Sequence, residues 1–282
     1  MNSSIFRDGL FEGKVCLVTG GGTGIGAAVA LELSLLGADV VIASRKPEHI
    51  EPAALGLSER TGREVVGEQV DIRDLESVSS LVERVLERFG RIDVLVNNGG
   101  GQFLAPAETI SPRGWDAVVQ TNLTGTWNMT RAVADAWMLE HGGKVVNITM
   151  LTTGAFPGMA HSVAARGGVE SMSRTLALEW ATRGIQVNCV APGFVASSGL
   201  KTYPAELDIL SQLQSIVPAK RLAHCREIAW AVAWLASEAG DYVTGSVLTV
   251  DGGKSLWGSW WPVPDPPDME TLEIPPEPWE QE

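Results

Sequence analysis

The chain has 282 residues, 45% hydrophobic and 20% charged, which excludes a disordered chain, a collagen or a coiled coil and allows one large domain or two small ones. Its net charge of −13 argues against a broad electrostatic grip on nucleic acid or anionic lipid. No apolar run reaches the roughly 18 residues that span a bilayer, and the first nine residues lack a signal peptide's apolar core, so a soluble, cytoplasmic protein with no nucleic-acid or membrane partner is expected.

Short apolar runs alternate with longer helical patterns along the chain. Strands are predicted over residues 14–19, 39–43, 65–70, 92–96, 144–149, 185–191 and 247–250. Helices are predicted over 25–36, 75–89, 115–140, 163–182 and 226–237. The first six strands are dense in Val, Ile and Leu without polar alternation, as parallel strands covered on both faces require. Repeated β–α–β units with right-handed crossovers make an α/β, doubly wound parallel sheet in one domain over residues 10–258. The three cysteines, Cys16, Cys189 and Cys225, form no C-x-x-C pair, and no His stands at zinc-finger spacing, so no metal is expected. Cys16 and Cys189 lie in apolar runs and read as buried thiols.

The last stretch changes character. Residues 262–282 hold seven prolines and seven acidic residues and no Lys or Arg. Proline at this density forbids helix and central strand. Two readings of the 259–282 tail stay open: a disordered acidic tail, or an arm anchored by Trp257, Trp260, Trp261 and Trp279 on its own domain or on a neighbouring subunit.

The first strand runs into Thr19-Gly20-Gly21-Gly22-Thr23-Gly24-Ile25-Gly26 and then a helix. Gly20, Gly24 and Gly26 give the spacing G-x-x-x-G-x-G at the carboxyl end of that strand. Glycine permits a tight turn and lets a pyrophosphate approach main-chain N–H groups, while the helix starting near Ile25 adds its positive end. Between a first strand and a first helix, this pattern reads as a Rossmann-like dinucleotide site. The second strand ends Ala43-Ser44-Arg45-Lys46, where an NAD site usually carries an acid for the ribose hydroxyls. Two cations without that acid point to the 2′-phosphate of NADP(H). The alternative is that Arg45 and Lys46 merely begin a solvated helix.

With these residues in hand, the chain resembles the short-chain dehydrogenase/reductase family. The resemblance rests on residues 19–26, Asp71-Ile72, Asn97-Asn98-Gly99-Gly100, Asn122 in Thr121-Asn122-Leu123-Thr124-Gly125, Pro192-Gly193 after the sixth strand, and Thr244-Gly245 with Asp251-Gly252-Gly253. It implies that Gly20, Gly22, Thr23, Gly24, Ile25 and Gly26 hold the pyrophosphate region and that Ser44, Arg45 and Lys46 meet the adenosine phosphate. By the same resemblance Asp71 and Ile72 flank the adenine, and Asn97 and Gly99 lie near the ribose. Pro192, Gly193, Phe194 and Val195 pass the nicotinamide, and Asn122 supports the catalytic network through a helix kink and a bound water. A substrate lid is expected between Phe194 and Val217.

The family's Asn, Ser, Tyr, Lys tetrad is altered. Only Tyr203 and Tyr242 exist, and neither has a Lys four residues on. Aligned on Val169 and Leu176-Ala177-Leu178-Glu179-Trp180, the tetrad reads Asn122, Thr149, Ser162, Arg166. A serine hydroxyl is far less acidic than a phenol and lacks its reach. Arg166 keeps a charge and donors for the nicotinamide ribose but does not relay protons.

Residues 97–103, 161–169, 42–46 and 218–221 are similar to the enoyl- and dienoyl-CoA reductase subgroup of the family. That resemblance implies NADPH-dependent reduction of an alkene conjugated to a thioester or enone. Hydride goes to Cβ, negative charge gathers on the carbonyl oxygen, and donors among Thr149, Ser162, His161 and the ribose hydroxyl stabilise it. His161 reads equally as an imidazole closing a loop. Lys201, Lys220 and Arg221 are candidates for a basic rim facing coenzyme A. Two alternatives remain beside this reading: a ketone reductase with a substituted proton donor, and a protein that binds NADP(H) without redox turnover, as a scaffold or as the catalyst of a redox-neutral rearrangement or cyclisation. The family's helix and last-strand pairings imply a homodimer or homotetramer.

Overall fold

The computed structural model describes every residue except 1, 2, 4, 203–208, 259–261, 270–272, 281 and 282. In chain order its elements are β1 (Val15–Thr19), α1 (Gly24–Leu35), β2 (Asp39–Ser44), α2 (Pro47–Thr61), β3 (Val65–Gln69), α3 (Leu75–Phe89) and β4 (Val94–Asn97). There follow α4 (Pro112–Val119), α5 (Gly125–Val133), α6 (Leu139–His141), β5 (Gly143–Ile148), α7 (Ala160–Glu179), β6 (Ile185–Pro192) and β7 (Val195–Ala196). The chain continues through α8 (Ile209–Ser215), β8 (Ala223–His224), α9 (Cys225–Ala236) and β9 (Val247–Val250).

Seven strands form one parallel sheet in the order β3-β2-β1-β4-β5-β6-β9, and β7 and β8 make a separate parallel pair. Chain order reverses between β1 and β4, so a crevice opens at the carboxyl ends of these two strands, where such sheets bind ligands. The expected doubly wound sheet is therefore present in a single Rossmann-like domain.

The two cores follow from strand periodicity. On β1, Cys16 and Val18 pack with Leu33, Ile42, Ile228 and Val232 on the α1/α9 side. Val15 and Leu17 point to the opposite face and meet Val41, Leu81, Leu95, Met129 and Ile185. Complete burial of each such Leu, Ile or Met is worth about 1.5–3 kcal/mol, which is why the central strands tolerate no polar alternation. At the edge, β3 buries Val65 and then alternates half-buried and exposed residues. Cys16, Cys189 and Cys225 are all buried free thiols; burial pushes Cys189 up to about 11 and Cys225 to about 12, so none is a ready nucleophile.

Three differences from the sequence expectation have local causes. Helix α2 stood outside the predicted elements because Pro52 interrupts a largely polar stretch; Ile50, Ala53 and Leu57 nevertheless bury one stripe of it. The predicted 115–140 helix begins earlier, at Pro112, with the Ser111 hydroxyl accepting from Gly114 N–H, and it holds two π-turns, Gln120–Thr124 and Ala134–Met138. Helix α7 starts at Ala160, which puts His161 and Ser162 in its first turn.

The described residues of the tail carry no helix or strand. Segment 273–280 lies on the chain's own domain: the Trp279 indole packs against Gly56 and donates to the Gly22 carbonyl at 3.1 Å. Further up, Asp265 pairs with the buried Lys220 at 2.9 Å. Trp260 and Trp261 fall outside the described residues.

Candidate active site

The glycine turn is dictated by space. Gly20 and Gly24 have φ of +63° and +53°, where a side chain is strained. A Cβ on Gly26 would stand 2.1 Å from the Gly20 carbonyl oxygen, and one on Gly20 2.8 Å from the Asn98 amide. The turn therefore lies flat against the start of α1, whose N-cap Thr23 makes no side-chain capping bond. Such a cradle, with main-chain donors at a helix amino end and one of them, Gly24 N–H, held by the Glu277 carboxylate at 2.6 Å, fits the pyrophosphate of a dinucleotide once that carboxylate is displaced.

The loop after β4 is tied to this turn. Asn98 donates through Nδ2 to the carbonyls of Thr19 (3.1 Å) and Gly20 (3.0 Å), and the Thr19 hydroxyl accepts from the N–H groups of Asn98 (3.1 Å) and Gly99 (2.9 Å). Asn97 is buried and donates to Thr130 (2.9 Å) and Asn147 (2.8 Å), while its Oδ1 has no partner. An unpaired buried acceptor at the carboxyl end of β4 is a place a ligand hydroxyl completes. At the carboxyl end of β2, where the resemblance expects the adenosine phosphate, Arg45 and Lys46 are exposed, with Lys46 only loosely paired to Glu48 at 3.9 Å. Ser44 Oγ accepts from Lys46 N–H at 3.4 Å. Asp71 is held by a forked bond from Arg73, which keeps its carboxyl below the usual range, and Ile72 fills the space that a Cβ on Gly125 would need.

Beyond the turn lies a cleft of about 450 Å³, walled by Ile25, Thr149, Arg166, Pro192, Gly193, Phe194 and Val195 among others. The family alignment thus brings Thr149 and Arg166 to the same wall as the Pro192–Val195 stretch. Arg166 is buried and donates to the Ile148 carbonyl at 2.8 Å. Burial lowers its pKa to about 10, so it remains a cation at neutral pH. A Cβ on Gly100 would sit 2.1 Å from the guanidinium, so glycine there makes room for Arg166.

Other sequence expectations are redirected. Asn122 sits in the first π-turn, as a kink requires, but its amide is spent on Gly101, accepting from the N–H and donating to the carbonyl, both at 2.9 Å. It fixes the loop that faces the cleft. His161 is fully buried and does not line the cleft; its Nδ1 accepts from Ser162 N–H at 2.8 Å, and its ring meets Phe103 edge-on at 4.4 Å. The other ring nitrogen, Nε2, is buried with no hydrogen-bond partner among the described residues. Ser162 is likewise buried, donating to Gln102 Oε1 at 3.1 Å. Lys220 and Arg221 form no free basic rim, because Lys220 pairs with Asp265 and Arg221 with Glu227 at 2.7 Å. The side chain of Lys201, like Tyr203, is outside the described residues. Tyr242 is fully exposed.

One group escaped the sequence reading. Glu170, one turn beyond Arg166 on α7, is buried and accepts from Thr149 Oγ1 at 3.2 Å and Thr152 Oγ1 at 2.7 Å. Its signal was present in the spacing of four that places Ser162, Arg166 and Glu170 on one helix face.

The chain is similar to known proteins over most of its length. Residues 20–255 match the family model described as enoyl-(acyl carrier protein) reductase. The chain is 39% identical to a peroxisomal 2,4-dienoyl-CoA reductase of Danio rerio, over 89% of this chain and 85% of that one. It is 36% identical to a probable 2,4-dienoyl-CoA reductase of Bacillus subtilis, over 87% and 98%. Among solved structures it superposes on a citronellol catabolism dehydrogenase of Pseudomonas aeruginosa with a TM-score of 0.80 and 41% identity, covering 89% of this chain and 99% of that one. The sheet, the glycine turn and these relatives together place the chain in the short-chain dehydrogenase/reductase family.

Proposed function

We propose that the chain is an NADPH-dependent reductase of a carbon–carbon double bond conjugated to a carbonyl, with an acyl thioester or related enone as its small-molecule substrate. The observation that carries this reading is the chemistry of the cleft wall. At the tetrad's Tyr position stands Ser162, buried and committed to Gln102, while the wall offers Thr149 backed by the Glu170 carboxyl. A ketone takes its proton on oxygen and needs a tuned acid there. A conjugated alkene takes hydride and proton on carbon, and its oxygen needs only donors while charge passes through it.

When bound, NADPH supplies the hydride; Arg45 and Lys46 answer its 2′-phosphate and Arg166 its nicotinamide ribose. Thr149 faces the substrate oxygen. Its hydroxyl proton rests between Glu170 and the Val190 carbonyl at 3.3 Å and turns to the substrate oxygen as charge gathers there, and the proton that ends on carbon comes from water. Thr152 holds the second carboxyl oxygen and keeps Glu170 aimed at Thr149. The relatives named as (3E)-enoyl-CoA-producing leave a double bond between C3 and C4, which requires hydride at C5 and the proton at C2. That is the vinylogous form of addition to Cβ, and the same wall serves both. The test is NADPH consumption by purified protein with trans-2-enoyl- and 2,4-dienoyl-CoA thioesters of graded length; no turnover with any of them overturns the reading.

A homodimer or homotetramer is part of the same proposal. Trp115 and Trp127 on the 112–141 helix are 40% and 39% exposed, and Leu178 on α7 is 80% exposed, an apolar cost that pairing of these helices removes. Light scattering at micromolar concentration measures it, and a monomer contradicts it.

A further inference from the structure

The tail grips the glycine turn on both sides of Thr23. Glu277 accepts from the Gly24 N–H at 2.6 Å, and Trp279 donates to the Gly22 carbonyl at 3.1 Å. Pro278 between them is buried, and the Trp279 side chain is pressed on Gly56 so closely that a Cβ there would lie 3.2 Å from its own Cβ. These contacts join residues more than 250 positions apart and share no partner with the rest of the cleft.

What Glu277 holds is the amino end of α1. That helix has no acidic residue in its first turn and no side-chain cap from Thr23, so its positive end is left for an anion from elsewhere. The carboxylate of Glu277 now supplies that anion. In the function proposed above, the same turn receives the pyrophosphate of NADP(H), which brings two more negative charges. Two anions at one helix end repel and compete for the same donors.

We propose that Glu277 is a tethered competitor of the cofactor: the 273–280 strap sits on the glycine turn in the free protein and must leave it for NADP(H) to bind. This rests on the reading of the glycine turn as the dinucleotide site. By linkage, a strap that weakens cofactor binding is loosened by the cofactor to the same degree. Trp279 sets how firmly the strap is seated, and Glu277 supplies the charge. A carboxylate at a helix amino end contributes about two- to thirtyfold in an equilibrium constant, which sets the size of the effect.

The experiment compares NADPH dissociation constants of the full chain with those of Glu277→Gln and Trp279→Ala, by titration calorimetry. Both variants are expected to bind NADPH more tightly, Glu277→Gln by about two- to thirtyfold, and the gain is expected to shrink as salt screens the charge. Limited proteolysis reads the reciprocal effect: NADPH should speed cleavage of the wild-type tail. Equal or weaker NADPH binding by Glu277→Gln, or protection of the tail by NADPH, overturns the proposal while leaving the cofactor reading intact. If the wild-type chain and both variants fail to bind NADPH, the cofactor reading falls and the strap falls with it.

Discussion

Glu170→Gln isolates the support of the cleft wall, and Thr149→Val its chemistry. Glutamate and glutamine have the same shape, so no cavity forms. Glutamine keeps one acceptor for a threonine hydroxyl and presents an amide to the other, which turns to accept. In the wild-type protein, Thr149 and Thr152 donate to the carboxylate at 3.2 and 2.7 Å. Hydrogen bonds to a charged group are worth about 1.5–3 kcal/mol each against about 1 kcal/mol for neutral ones, so the exchange weakens two bonds by about 1–4 kcal/mol in total. Relief from burying a charge offsets much of that, and the melting temperature should move little. The rate effect is read at the donor itself. Thr149→Val keeps the side-chain shape and removes the hydroxyl that turns to the substrate oxygen; losing one positioned donor to a developing oxyanion costs about 10²–10³ in rate, which corresponds to about 2.7–4 kcal/mol in the barrier. Steady-state NADPH oxidation with a trans-2-enoyl-CoA should therefore show kcat reduced at least about a hundredfold in Thr149→Val with the KM for NADPH unchanged. Glu170→Gln and Thr152→Val, which leave that hydroxyl in place, should each cost less than about tenfold. A Thr149→Val variant with near-wild-type kcat would refute the assignment.

Arg45→Ala with Lys46→Ala should weaken NADPH binding by about tenfold or more and leave NADH binding nearly unchanged, as paired dissociation constants would show; an equal effect on both cofactors contradicts the 2′-phosphate assignment. Arg166 has a pKa lowered to about 10 by burial, so its charged form costs folding free energy below that pH and the cost lifts as pH rises from about 10 toward the ordinary guanidinium range. Cofactor affinity that depends on the cation runs the other way: it should stay level from neutrality upward and decline as pH passes about 10. Arg166→Met should abolish that alkaline decline while weakening binding throughout, and a persistent decline in the variant assigns it to another group.

The parts of the fold legible beforehand are those fixed by local rules. Parallel strands buried on both faces need unbroken Val, Ile and Leu, so β1, β2 and β4 stand out of the chain, as does the turn whose Gly20, Gly24 and Gly26 are required by φ and by space. Helix α2 was hidden because Pro52 and its polar composition outweigh a narrow buried stripe. The π-turns depend on how α4 and α5 pack, and nothing in the Gln120–Thr124 residue types demands them. At the site, the family resemblance pointed to Thr149 and Arg166, but hydrogen-bond partners did not follow from it. Asn122 turned to Gly101, 21 positions away, and His161 turned inward to Phe103. Glu170 looks like a solvated helix residue until β5 and the following loop bring Thr149 and Thr152 onto it. The tail showed that its tryptophans could anchor it, yet the surface chosen by Trp279 is a tertiary fact.

Substrate preference tests the central claim most directly. Purified protein would be given NADPH with matched acyl chains carrying either a conjugated alkene or a 3-keto group, alongside Tyr203→Phe to cover the tyrosine within the segment where the sequence predicts a lid. Turnover of the alkene at least about a hundredfold faster than the ketone, unchanged by Tyr203→Phe, is the expected result. Faster reduction of the ketone, or loss of alkene turnover in Tyr203→Phe, would contradict a reductase that works without a phenolic acid.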